Sequence, residues 1–98
     1  MQQTWIAEEL VIFLHADGSH MPGKIAIGLP VTLTEGVEAH CVVSLEGLDH
    51  RTWPIIGGSP LQALLLAVSF VGMRLHDFLS KGGRVLDPHE GADVGLES

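Results

Sequence analysis

The chain has a single cysteine, Cys41, so no intrachain disulfide can form. A small domain without that cross-link depends on its hydrophobic core, which suits a reducing cytosol. Bases are scarce as well. Five Lys and Arg stand against twelve Asp and Glu, for a formal charge of -7. Phosphate backbones are gripped by clustered Lys and Arg, so a general hold on DNA or RNA is not expected. The acidic surplus fits solubility or attraction to a basic protein partner. Met1-Gln2-Gln3-Thr4-Trp5 leads into Glu8 and Glu9, without the basic and apolar segments of a secretory signal. Long hydrophobic runs are missing too. The longest apolar stretch, residues 61–73, is interrupted by Gln62 and Ser69 and followed by Arg74, His76 and Asp77. A membrane span takes about 20 apolar residues. The expectation is a soluble, cytoplasmic protein with no nucleic-acid and no membrane partner.

What the sequence does contain is enough apolar material for one core. It has 98 residues, 46% of them hydrophobic, which suits a single domain. Turn clusters cut the first half into four short apolar pieces. Residues 5–15 end at Asp17-Gly18, residues 24–33 at Glu35-Gly36, and residues 38–46 at Gly47-Leu48-Asp49; residues 50–56 form the last piece. Within the second piece Ile25, Ile27, Leu29, Val31 and Leu33 alternate with Lys24, Ala26, Gly28, Pro30 and Thr32. In the third, Ala39, Cys41, Val43 and Leu45 alternate with Glu38, His40, Ser44 and Glu46. A period of two marks half-buried strands, and loops this short join antiparallel neighbours. Pro54 suits an edge strand; Pro30 implies a bulge or an early end near residues 28–30.

Gly57-Gly58 breaks this pattern and Ser59-Pro60-Leu61-Gln62 reads as a capped helix start with proline in the first turn. The helix is expected from Pro60 to about Lys81, with Gly82-Gly83 as its stop. The predicted fold is therefore α+β: a four-stranded antiparallel meander followed by one long C-terminal helix packed on the sheet, ββββα. It occupies residues 1–86, and residues 87–98 form a flexible acidic tail.

At 100° per residue, Leu61, Leu64, Leu65, Val68, Val71, Leu75, Phe78 and Leu79 share one arc, expected to cover the sheet. Gln62, Ser69, His76 and Ser80 lie opposite. Among those polar residues runs a second apolar ridge, Leu66, Phe70 and Met73, spaced four and three apart. One sheet cannot cover both sides of a helix. Either loops or the C-terminal tail cover the ridge, or it is a partner surface; the second reading is preferred, most simply as the interface of a homodimer. The first strand agrees, because Trp5, Val11 and Phe13 lie opposite Ile6, Leu10, Ile12 and Leu14.

Chemical constellations are few. His15, Asp17 and His20 share a turn, but zinc takes three or four ligands with an ordered surround, so a polar hairpin tip is preferred and no metal site is assigned. Cys41 has His40 and His50 as conceivable bases. Its face-mates Ala39, Val43 and Leu45 predict burial and an inert thiol. Gly57-Gly58-Ser59 could cradle an anion but lacks the Lys of a phosphate loop, and capping accounts for it better. Glu8/Glu9 and Glu35/Glu38 read as solvated charge, and Trp5 and Trp53 as core. No catalytic residue and no cofactor are assigned.

The stretch Gly57-Gly58-Ser59-Pro60-Leu61-Gln62-Ala63-Leu64 resembles the helix start of a small bacterial domain family of unknown function, Gly-x-(Ser/Asp)-x-(Leu/Val)-Gln-Ala-Leu after a strand-rich first half. Gly28-Leu29-Pro30, Cys41 and Gly47 match further positions of that pattern, and the resemblance covers most of residues 6–80. It implies no catalytic residues. The expectation is a non-enzymatic protein-binding module, an immunity or regulatory protein by analogy. The alternative is a small-molecule or metal-binding module with a cleft between protomers.

Overall fold

Asp17 and Gly18 reverse the chain between β1 (Trp5–Leu14) and β2 (His20–Gly28). The Asp17 carboxylate accepts from the Ser19 N–H at 2.9 Å and from its hydroxyl at 2.7 Å, while Gly18 takes a φ of 92°. The computed structural model describes residues 3–34 and 38–89, so the Glu35-Gly36 turn and the expected tail from residue 90 onward lie outside the described residues.

The strand count corrects the four-stranded expectation: among the described residues the antiparallel sheet has six strands. One extra strand arises at Pro30, where residues 24–33 break into β2 and β3 (Val31–Thr34). Proline cannot donate to the ladder, and the Leu29 N–H turns away to the Thr4 carbonyl at 2.8 Å. Both pieces pair with the same side of β4 (Glu38–Glu46), β2 through residues 24–27 and β3 through residues 31–34. The other side of β4 pairs with β5 (Thr52–Gly57), whose Pro54 stands on an edge strand as expected. The other addition is β6 (Arg84–Leu86), which follows the helix and pairs with Ile12–Leu14 of β1. The helix is therefore not the last element.

Helix α1 (Pro60–Ser80) begins where the sequence places it. Ser59 Oγ accepts from the Gln62 N–H at 3.1 Å, and the side-chain Oε1 of Gln62 accepts from the N–H of Gly58. At the other end Gly82 has a φ of 92°, and the N–H groups of Gly82 and Gly83 reach the carbonyls of Leu79 and Phe78, each at 3.0 Å. This paired closure reverses the chain into β6. By length and composition α1 is also apolar enough to cross a membrane, with a mean hydropathy of 1.4 over 18 residues, 28% of them buried.

The helix lies over β4 and β5 and reaches β6 at its end. Its buried line is Ala63, Ala67, Val71, Leu75 and Phe78. Small residues at 63 and 67 bring its axis close to the strands: a Cβ on Gly57 would stand 2.5 Å from the Ala63 nitrogen. Beneath it sit Ala39, Cys41, Val43 and Leu45 of β4, with Val11 and Phe13 of β1 and Val85 of β6. The rings of Phe13 and Phe78 meet edge to face at 5.5 Å. Among the described residues no helix covers the opposite side of the sheet. There Leu10, Ile6, Ile56 and Val31 are exposed, and Lys24 pairs with Glu8 at 3.0 Å.

Candidate interaction surface

The placement of the helix decides which of its leucines meet solvent. Leu61, Leu65 and Val68, expected on the sheet, face outward instead. They are 65%, 60% and 50% exposed, and Leu64 and Leu79 are half-buried. The correction has a steric cause. A helix seated on alanines approaches the strands closely, and the buried arc centres on Ala67 rather than on the leucines. Of the expected arc, Val71, Leu75 and Phe78 do cover the sheet.

The ridge Leu66, Phe70 and Met73 divides. Leu66 is 43% and Met73 62% exposed, whereas Phe70 is half-buried against Trp53, with ring centroids 5.5 Å apart. The outward side of α1 thus carries two apolar strips. One is Leu61, Leu65, Val68 and Gly72; the other is Leu66 and Met73. Gln62, Ser69 and His76 run between them, all exposed. The stripe through Leu65 was the part that sequence periodicity missed. The one available signal was the run Ala63, Ala67, Val71, Leu75, which offers a second and sterically better line for burial.

The C-terminal half of α1 is held in place by charge. Asp49, in the turn after β4, accepts from Trp53 Nε1 at 3.0 Å and from the Arg74 guanidinium. Arg74 also lies 4.0 Å from Asp77, and Asp77 pairs with Lys81 at 3.1 Å. Buried Arg74 Nε has no hydrogen-bond partner among the described residues. Arg51 stacks over the Trp53 ring at 4.2 Å. This chain of alternating charge borders a cleft of about 230 Å³ lined by His15, Leu48, Arg74, Asp77, Phe78 and Lys81. Its ionised groups are already matched to one another.

The remaining candidates are each engaged locally. Asp17 is turned into its own loop, and the Ser19 hydroxyl and N–H hold its carboxyl below the usual carboxylate range. His15 packs edgewise on Phe78 at 5.2 Å, and His20 is exposed. Among the described residues no three His, Cys, Asp or Glu side chains gather as a metal site would require. Cys41 is buried, and its Sγ donates to the Gly28 carbonyl at 3.2 Å. Burial pushes the thiol pKa up. His40, next along the strand, belongs to the opposite face, and His50 is exposed in the following turn. Neither stands as a base for Cys41. The N–H groups of Gly58 and Gln62 are engaged in the cap. Glu8 is bridged to Lys24, and Trp5 is only half-buried, with the Lys24 ammonium 6.0 Å from its ring centroid.

The class this geometry defines is α+β, a one-sided sheet under a single helix that keeps an apolar outer face. Comparison with protein-family models, curated proteins and solved structures finds no match for the chain. The likeness to a small bacterial family therefore rests on the quoted residues alone.

Proposed function

We propose that the protein is a non-enzymatic protein-binding module of a bacterial cytoplasm, with an immunity or regulatory role, and that the outer face of α1 is its docking surface. The observation that carries this reading is the outward placement of Leu61, Leu65, Leu66, Val68 and Met73. Full burial of one such side chain is worth about 1.5–3 kcal/mol, so leaving five in water forgoes a large fraction of what a small domain has. Patches of several hundred Å² are seldom left open on monomers without a use. The apolar face would hold its partner by burying these side chains, and the acidic residues lie outside the stretch from Pro60 to Met73. The small-molecule alternative is less well supported, because the charged groups around the cleft pair among themselves.

The test is affinity capture from the native host with the wild type and with a Leu65→Glu/Met73→Glu variant, the bound proteins being identified by mass spectrometry. Wild-type bait is expected to retain a protein, its own copies included, that the folded variant loses. Equal retention by both baits, or none by the wild type, sinks the reading.

A further inference from the structure

We propose that the protein that docks on α1 is a second copy of the chain, packed antiparallel about a twofold axis between Val68 and Ser69, with Leu65 of each protomer seated over Gly72 of the other. This rests on the protein-binding reading above and names its partner.

The first argument is charge. From Pro60 through Met73 the helix has no ionisable side chain, in a protein whose formal charge is -7. A basic partner would find no carboxylate on this strip to pair with. A like-charged copy would meet no repulsion here, though it would elsewhere. The helix-free face of the sheet is less suited, because Glu8, Lys24 and Glu46 interrupt it. The free edge of β1 is also unsuitable. β6 covers only Ile12–Leu14, and pairing two copies along the remainder would bring Glu8 and Glu9 against their own counterparts.

The second argument is Gly72. Glycine inside a helix costs about 1 kcal/mol relative to alanine. Among the described residues a Cβ at Gly72 would meet nothing within 4 Å, so none of their contacts asks for its absence. What remains is close approach from outside. The third argument is spacing. Leu61, Leu65, Val68 and Gly72 recur at steps of four, three and four, the seam of paired helices. With the axis midway between positions 65 and 72, each Leu65 faces Gly72 of the other copy, each Leu61 faces His76, and each Val68 faces Ser69. At the Leu65–Gly72 pairs, which occur twice by symmetry, the large side chain of one copy fills the gap of the other, as an isologous interface allows. Leu61, Leu65 and Val68 on this strip are 65%, 60% and 50% exposed, the apolar surface that a paired helix would cover.

Sedimentation equilibrium on the purified chain, across concentrations up to about 100 µM, reads the outcome. The wild type is expected at twice its 10.5 kDa chain mass. Gly72→Ala should melt no lower than the wild type at concentrations where both are monomeric, yet dissociate at least about tenfold more readily. Leu65→Ala should weaken the pair as well. A wild type that stays monomeric throughout, or a Gly72→Ala variant that pairs as tightly as the wild type, overturns the proposal. A monomer that still captures a host protein through Leu65 overturns the self-pair alone and leaves the protein-binding reading in place.

Discussion

Cys41 shows how much a single side chain's surroundings determine its chemistry. Its thiol is enclosed under α1 beside Ala39 and Val43, and it makes a weak donation to the Gly28 carbonyl. Burial disfavours the thiolate, the only reactive form. A thiol reagent at mildly alkaline pH should therefore label the native chain at least about a hundredfold more slowly than the urea-unfolded chain, because labelling must wait for opening. Comparable rates in the two states would show that Cys41 is accessible. The position of Cys41 was legible because strand alternation is a strict period of two. The Asp49–Arg74–Trp53 cluster was not. Asp49 and Arg74 are 25 positions apart, and neither residue type announces a distant partner.

At the scale of the element, the ends of α1 were legible and its faces were not. Caps are local chemistry, written in Ser59-Pro60-Leu61-Gln62 and in Gly82-Gly83. Replacing Ser59 by Ala removes the acceptor for the Gln62 N–H and should lower unfolding stability by about 1 kcal/mol, whereas Asp at the same position should retain it. Urea unfolding followed by far-ultraviolet circular dichroism measures both, and an unchanged midpoint for Ser59→Ala would refute the cap's role. Which stripe is buried, in contrast, depends on how closely the axis approaches the strands. Apolar periodicity weights Leu65 above Ala63, although close packing on β5 admits only the smaller side chain. The same bias placed Leu61 and Val68 on the sheet. Pro30 lies between these cases: its missing donor marked the break between β2 and β3, but not that both halves would stay beside β4.

For the whole molecule the decisive unforeseen element is β6. Three residues are too few to show a period, yet Arg84–Leu86 return the chain from the helix to the first hairpin and close part of the β1 edge. Val85 pairs with Phe13 and is only 4% exposed, and Phe13 in turn meets Phe78 of the helix. The first strand, the helix and the last strand thus share one patch of core, so none should unfold ahead of the others. Val85→Ala opens a void at that junction and should lower stability by about 2 kcal/mol. Because the loss falls on a shared core, the variant should shift its urea midpoint without changing the slope, and the helical signal and tryptophan fluorescence should move together. If the helical signal held while fluorescence fell, β6 would be a detachable strap rather than part of the cooperative unit. The outer face of α1 would then stand on a less rigid platform than a defined helix pair needs.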